Sequence, residues 1–319
     1  MITEQVGDEP PESFINDRRQ DWLTELSPGD YERCMALLEE LLGIPYRYSP
    51  EATAAHLLRH LHDRPGGKRL HPSSMPPPAL EPSTEADLHW IRPLTAEERA
   101  APYIVAYDVN AAYLAACSAL SLGVGEPVAT HGASNWKGLP GYYLEPDGWV
   151  TTPTLLWRGH EERAYDMYVW LEASRPLEPW YKVLRDAREE VMLDTNCYGE
   201  PVNAAALQTI KMMYAGFFGR CASTKWDRTG DPLFRPDWRH MVIATRRTRL
   251  QRVMTQTDPA PFAAFSDCLY FATEHQVTGL RMGTNPGSFK IHGTQPLTVE
   301  LRTAIEDGQL ARLVQLVKD

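Results

Sequence analysis

The sequence predicts an α+β fold in which helices pack on a sheet. Two apolar runs, residues 103–107 and 262–272, have the composition of buried strands. Stripes of apolar residues at helical spacing recur at residues 31–42, 203–218 and 298–317. Asp108 follows the first strand-like run and Asp267 interrupts the second. The predicted sheet therefore carries two carboxylates.

The composition is typical of a soluble globular protein. The chain has 319 residues, of which 43% are hydrophobic and 23% charged, and contains no apolar run of membrane-spanning length. Its acidic start lacks a signal-peptide core. The five cysteines are scattered, which favours a reducing compartment over a disulfide framework or a zinc ribbon. We therefore expect a cytoplasmic protein with no membrane segment.

The first part of the chain predicts a small helical region followed by a linker. Residues 1–64 form the helical N-terminal region, whose first 20 residues are an acidic tail. Ser49 and Pro50 mark a helix start, since serine caps helices and proline suits the first turn. His56 and His60 lie four residues apart, as metal ligands or as a solvated helix face. Residues 65–95 are rich in proline and form the linker.

Residues 96–319 carry the candidate chemistry. A capping box at Thr95 and Glu98 predicts a short helix before the first strand. Asp108 alone could be a helix N-cap, but Asp267 supplies a second carboxylate, and Lys211 lies between them on a predicted helix. Two-metal nucleotidyl transfer requires two carboxylates that hold a pair of Mg²⁺ or Mn²⁺ ions, with the ions about 3.5–4 Å from each other. It also requires a cation, such as a lysine, that neutralises the triphosphate.

Four short motifs in this region resemble those of family B DNA polymerases, especially the protein-primed phage type. Residues 108–113 are similar to motif A, 211–219 to motif B and 266–270 to the latter part of motif C, and 286–291 resemble the segment after motif C. The resemblance implies a polymerase palm with fingers at about 176–222, a minimal or absent thumb and no exonuclease domain. Motif A also resembles polymerase-like telomere-associated proteins of linear actinobacterial replicons.

The resemblance also implies roles for individual residues. Asp108, Asp267 and the Val109 carbonyl would hold two metal ions. The nucleotide would be bound by Arg188, Lys211, Tyr113, Ala215 and Gly216. Contacts to DNA would come from Arg246, Arg247, Arg249 and Lys290. Two alternatives stay open, because Tyr113 could be a core aromatic instead of a sugar gate and the arginines could form a solvated helix face.

Two motifs depart from the family pattern. In motif B, Ala215 and Gly216 stand where asparagine and serine are usual, and Phe218 replaces tyrosine. In motif C, Phe265 stands where the first aspartate would be if Asp267 is the second. The other register would place Leu269 at that essential position, so we prefer the first.

The sequence thus predicts a DNA polymerase or primase-like polymerase that uses dNTPs and lacks proofreading. Its partners would be a DNA primer–template or single-stranded DNA, with a possible terminal protein or replication partner. The formal charge of −10 is unfavourable for nucleic-acid binding unless a local basic groove or a partner compensates. The alternatives are a catalytically inactive DNA-end-binding scaffold and an unrelated two-metal phosphohydrolase, which would need further ligands.

Overall fold

The computed structural model describes residues 21–67, 70, 73–81, 84–134, 138–159, 163–193 and 199–318. The predicted acidic tail lies outside the described residues. The helices are α1 (Asp21–Thr24), α2 (Pro28–Leu42), α3 (Pro50–Asp63), α4 (Ala96–Ala100), α5 (Ala112–Cys117), α6 (Thr152–Arg158), α7 (Leu177–Leu193), α8 (Glu200–Cys221), α9 (Thr224–Thr229), α10 (Pro236–Met254), α11 (Val299–Glu306) and α12 (Leu310–Lys318).

The strands are short and pair in an antiparallel manner. They are β1 (His89–Ile91), β2 (Tyr103–Val109), β3 (Leu122–Val124), β4 (Val128–Ala133), β5 (Gly141–Glu145), β6 (Gly148–Thr151), β7 (Tyr165–Val169), β8 (Glu172–Ser174), β9 (Ala263–Phe265), β10 (Cys268–Thr273) and β11 (Phe289–Pro296). The mixture of helices and antiparallel sheet confirms the predicted α+β class.

The predicted helix starts are confirmed. The Ser49 side chain accepts a hydrogen bond from the Ala52 backbone N–H, and α3 begins with Pro50. Thr95 and Glu98 form a reciprocal capping box at the start of α4. These local signals succeed because a capping side chain bonds only to backbone groups within one turn.

The described chain divides into two compact units. Unit 1 contains residues 86–112 and 246–318, and unit 2 contains residues 21–85 and 113–245, each with the gaps given above. Each unit contains residues from more than one of the regions expected from the sequence. The region boundaries at residues 64 and 95 remain predictions. No helix in the described part of the chain has the length and apolar character needed to cross a lipid bilayer.

Unit 1 is built on a five-stranded sheet in the order β1-β9-β10-β2-β11. Ile104 and Ala106 of β2 belong to a core with the apolar residues of α11 and α12, whereas Tyr107 belongs to a second core with Leu250 of α10. Helices therefore cover both faces of the sheet. The expectation of one helix over residues 298–317 is wrong, because Gly308 adopts φ 68° between α11 and α12.

Unit 2 combines a helical group with two small sheets. Helices α2, α3, α7 and α8 pack against one another, and the strands form the sheets β3-β8 and β4-β7-β5-β6. Trp180 of α7 is fully buried and donates its indole N–H to the Ala54 carbonyl of α3. Helix α5 ends at Cys117, and Leu122 then pairs with Ser174 in a strand.

Candidate active site

Asp108 lies one residue before the end of β2, which runs between β10 and β11. In register, it is opposite Cys268 of β10 and Lys290 of β11. Its side chain is 23% exposed, at the end of a strand in which Ile104, Ala106 and Tyr107 are buried. Helix α5 begins only at Ala112, so Asp108 is not the N-cap of that helix. Asp108 therefore lies where an interior strand of the sheet ends.

Asp267 is placed by the tight loop between β9 and β10. Ser266 and Asp267 form this two-residue loop, and Ser266 has φ 59°, which non-glycine residues seldom adopt. The Ser266 N–H donates to the Leu88 carbonyl over 2.7 Å. The Val109 N–H donates to the Asp267 carbonyl over 3.1 Å, so the loop is fixed against the end of β2. Asp267 is therefore held beside the strand end that carries Asp108.

Charged neighbours surround both carboxylates. Burial raises the pKa of Asp267 above its ordinary value; the Arg246 guanidinium opposes this, and the negative charges of Asp108 and Asp87 add to it. Arg246 is itself buried and forms an ion pair with Asp87. The Lys290 ammonium lies 3.4 Å from Asp108 Oδ2. Two clustered carboxylates with nearby cations form a site that favours positive charge.

Phe265 is the residue that the sequence resemblance aligns with the first aspartate of motif C. Its ring stacks on His89 of β1, with centroids 4.6 Å apart and planes at 13°. Burial lowers the pKa of His89 and so favours the neutral ring in this stack. Leu269 is fully buried in β10. Of the two alternative registers, the structure thus leaves Asp267, and not Leu269, beside Asp108.

The metal ligands of this site would be few. Within the described ranges, no group of three or more His, Cys, Asp or Glu side chains is arranged to hold a metal ion. The ring centroids of His56 and His60 are 6.5 Å apart with their planes tilted by 46°, and an Arg47 guanidinium nitrogen lies 2.9 Å from His56 Nε2. A guanidinium at an imidazole nitrogen disfavours a metal there, which supports the solvated-face reading of this pair. The two aspartates of unit 1 remain the candidate ligands.

The residues predicted to contact DNA have different surroundings. Arg246 is only 5% exposed and pairs with Asp87, so its side chain does not belong to an exposed basic face. Arg247 donates to the Ala86 carbonyl over 2.7 Å, whereas Arg249 is exposed. Lys290 is half exposed and faces Asp108. A direct DNA contact therefore remains a prediction for Arg249, while Arg246 serves the interior of unit 1.

In unit 2, α8 presents the predicted nucleotide-binding face. Lys211 is exposed, and it shares one face with Ala215 and Phe218 because these residues are four and three apart. Tyr113 stacks on Phe218 with centroids 6.1 Å apart and planes at 16°. Arg188 is half-buried on α7, which packs against α8. Tyr113 of motif A is thus in contact with the helix that carries motif B. This contact is compatible with Tyr113 as a sugar gate and with Tyr113 as a core aromatic.

Gly216 lies on a different face of α8. A Cβ built at this position would lie 2.4 Å from Cγ of Glu51, a first-turn residue of α3. The Glu51 carboxylate is 3.7 Å from the guanidinium of Arg220 on the next turn of α8. The absent side chain therefore makes room for α3. A nucleotide contact by Gly216 stays a prediction.

The sequence patterns did not identify two acidic residues that contact predicted site residues. Asp87 lies in the stretch assigned to the linker, and no local pattern connects it to Arg246, 159 residues away. Glu51 is an ordinary first-turn residue of α3. A glycine within a strongly helical run was the one signal of a close approach at α8. Its partner could not be identified without the tertiary structure.

Comparison with known proteins finds likeness at the level of structure only. Neither a protein-family model nor a curated protein sequence matches the chain. Phi29 DNA polymerase complexed with single-stranded DNA matches with a TM-score of 0.54 and 13% sequence identity. Its ternary complex with primer-template DNA and incoming nucleotide substrates matches with a TM-score of 0.51 and 13% identity. Each alignment covers 92% of this chain.

The chain has a polymerase-like fold. It spans 61% of the length of the polymerase chain in the single-stranded DNA complex and 62% in the ternary complex. At this identity the likeness establishes the fold, including the predicted mixture of helices with an antiparallel sheet. The residue roles rest on the geometry described above.

Proposed function

We propose that this protein carries out template-directed nucleotidyl transfer by a two-metal mechanism, as a DNA polymerase or a primase-like polymerase without proofreading. The single observation that carries the proposal is the placement of Asp108 and Asp267. They lie at the same end of the unit 1 sheet, on a strand end and a hairpin loop joined by a 3.1 Å backbone hydrogen bond. The polymerase-like fold agrees with this role.

The donor set fits magnesium or manganese. Both candidate side chains are carboxylates, and hard divalent cations prefer oxygen ligands. Asp108 and Asp267 would hold the ions, with the Val109 carbonyl as a further oxygen. When bound, such ions activate the attacking hydroxyl and stabilise charge on the phosphates. Lys290 balances the charge of Asp108 and would give up this contact to an incoming cation.

Unit 2 provides the residues proposed for the nucleotide. Lys211 is exposed on α8 and would neutralise phosphate oxygens, together with Arg188 of α7. Tyr113, supported by its stack on Phe218, would exclude a 2′-hydroxyl and so favour dNTPs. Primer–template or single-stranded DNA would be the nucleic-acid partner, and a terminal protein or another replication protein would compensate for the acidic net charge.

A second candidate function is a catalytically inactive scaffold that binds DNA ends. Phe265 supplies a packed aromatic ring where the family has a carboxylate, and the described residues contain no third acidic ligand. The same absence within the described ranges removes support from a phosphohydrolase, which would need additional ligands. The scaffold and the polymerase differ in one respect that can be measured, namely incorporation of nucleotides.

Primer extension with matched variants separates the two functions. Labelled primer–template is incubated with dNTPs or NTPs and Mg²⁺ or Mn²⁺, with wild type, Asp108→Asn, Asp267→Asn and the control Asp307→Asn. Asp307 is an exposed carboxylate at the end of α11, so its substitution leaves the site intact. We expect extension by wild type and the control and a loss of at least about 100-fold in both site variants, the scale of a lost electrostatic contribution to catalysis.

The remaining arms of this experiment define the mode of initiation. Product in reactions without primer indicates primase activity, and incorporation of dNTPs over NTPs indicates DNA synthesis. Folded wild type that binds DNA but incorporates nothing, even with candidate terminal or replication proteins added, contradicts the polymerase and supports the scaffold. Equal activity in wild type and Asp267→Asn contradicts the assigned metal site.

A further inference from the structure

Asn110, the residue that follows β2, is tied to the loop at residues 283–288 by three hydrogen bonds. Its side-chain Nδ2 donates to the Gly283 carbonyl over 2.6 Å. Its backbone N–H donates to the Ser288 carbonyl over 2.8 Å, and its backbone carbonyl accepts from the Gly287 N–H over 2.7 Å. Asn110 is only 4% exposed. One buried residue therefore fastens the end of β2 to loop 283–288.

The bond to Ser288 also sets the direction of the Val109 carbonyl. This carbonyl and the Asn110 N–H belong to one trans peptide unit, in which the two groups point in opposite directions. The N–H points toward Ser288, which directly precedes β11 on one side of β2. The carbonyl therefore points toward the other side of β2, where β10 and Asp267 lie.

Val109 lies beyond the last residue pair of β2 and β10. That ladder ends with Asp108 opposite Cys268. The Val109 N–H then donates to the Asp267 carbonyl over 3.1 Å. The Val109 carbonyl is thus aimed at the space beside Asp267, and its oxygen belongs to the donor set proposed above for the metal ions.

The backbone directly after Asn110 has an unusual conformation. Ala111 has φ 47°, which non-glycine residues seldom adopt and which persists only where the surrounding structure holds it. Within the described ranges, the other non-glycine residue with a left-handed φ is Ser266, next to Asp267. Both therefore lie near a candidate carboxylate, as is typical of functional sites. At Ala111, the three bonds of Asn110 to loop 283–288 provide the support.

We propose that Asn110 is a positioning residue of the two-metal site, which holds loop 283–288 in place and thereby aims the Val109 carbonyl at the ions. The inference rests on the metal site of the proposed function. Substitution of residues that orient metal ligands costs about 10- to 100-fold in metal affinity. Asn110→Ala removes the tie to Gly283 and retains the backbone bonds, so the lower end of this range applies.

Selective labelling observes the Val109 carbonyl without any substitution. Protein with ¹³C-carbonyl valine and ¹⁵N asparagine gives an HNCO signal only for Val-Asn peptides, and the sequence contains two, Val109-Asn110 and Val202-Asn203. The second lies in α8 and is an internal control. We expect Mg²⁺ to shift the first signal saturably in wild type and not in Asp267→Asn, while the second signal stays in place in both proteins.

Mn²⁺ binding measured by EPR tests the role of the Asn110 side chain. The proteins compared are wild type, Asn110→Ala and the control Asn285→Ala. Asn285 is exposed in the same loop and bonds to Ser288 through its backbone carbonyl, which alanine retains. We expect Mn²⁺ binding to weaken about 10-fold in Asn110→Ala and to stay unchanged in the control.

Primer extension adds a readout that a purely structural role would leave unchanged. Asn110→Ala should need about 10-fold more Mn²⁺ for half of its maximal rate, with an unchanged KM for primer–template. Urea unfolding of the same variant shows whether it is folded, and if it is not, the labelling of wild type decides.

Two outcomes overturn the inference. These are a Val109 signal that does not respond to Mg²⁺, and wild-type Mn²⁺ affinity in folded Asn110→Ala. Failure of the proposed function gives a different result. Wild type that binds Mn²⁺, shows the shifted Val109 signal and extends no primer contradicts the polymerase and supports the role of Asn110. Primer extension by wild type whose Val109 signal stays in place supports the polymerase and overturns the role of Asn110.

Discussion

Arg246 and Arg249 lie three residues apart in the basic stretch of α10, and their surroundings differ completely. Arg246 is buried against Asp87 and influences Asp267, while Arg249 is exposed. The same residue type therefore has two functions. Arg246 is a structural cation of the candidate site, and Arg249 is exposed on the surface of α10.

At the residue scale, we predict that substitution of Arg246 changes the stability of the protein, whereas substitution of Arg249 changes DNA binding. Arg246→Ala leaves Asp87 without its buried partner and should lower the free energy of unfolding by about 3 kcal/mol. Arg249→Ala should change it by less than about 0.5 kcal/mol but reduce the salt dependence of DNA binding by about one counterion. Urea unfolding and fluorescence anisotropy at several salt concentrations measure the two quantities. Equal stability losses would show that the burial of Arg246 carries no energetic weight.

At the element scale, α8 is shaped by the helices that pack around it. The N-terminal helices α2 and α3 pack with α7 and α8, the pair assigned to the fingers. At Gly216, the Glu51 side chain occupies the space that a side chain on α8 would need. Gly219 belongs to the same helix, and a Cβ there would meet nothing within 4 Å. The two glycines thus form a matched pair.

The element-scale prediction uses that pair. Alanine is more favourable than glycine in a helix by about 1 kcal/mol, so Gly219→Ala should stabilise the protein by roughly that amount. Gly216→Ala should destabilise it, because the new methyl group displaces Glu51 from Arg220. In a Glu51→Ala background the same substitution should stabilise, giving a coupling of about 1 kcal/mol or more. Unfolding midpoints of the four variants measure this cycle, and additive effects would exclude the contact.

At the scale of the whole molecule, a buried histidine connects stability to pH. His240 is 1% exposed, and its Nδ1 lies 3.1 Å from the Tyr142 hydroxyl. Burial, assisted by Arg239, lowers the pKa of His240 to about 4 from 6.5. The folded protein therefore binds fewer protons than the unfolded chain between these values. The contribution of His240 is complete above about pH 6.5 and is lost as the pH falls toward 4.

The whole-molecule prediction follows from that difference. Between pH 7 and pH 5, His240 should reduce the free energy of unfolding by about 2 kcal/mol. In His240→Gln this part of the pH dependence should disappear, whatever the stability of the variant at pH 7. Urea unfolding at both pH values, compared between the two proteins, isolates the histidine from the other titrating groups. An unchanged pH dependence in the variant would argue against a neutral buried imidazole.

Local patterns in the sequence were sufficient for much of the fold. The apolar run at residues 103–107 predicted the strand that ends beside Asp108, and Ser49 predicted the start of α3, because strand composition and helix capping are local signals. The two strand-like runs supplied one aspartate each, but the pairing of β2 with β10 is visible only in the structure. Helix ends were less predictable, as the division at Gly308 shows.

The sequence by itself therefore determined the α+β class, the main elements and the two carboxylates. Only the tertiary structure decided that Arg246 is buried with Asp87 and that Glu51 fills the space beside Gly216. These features join residues that are distant along the chain or depend on space left between packed elements. Burial and cavities are properties of many side chains together, so no local pattern encodes them.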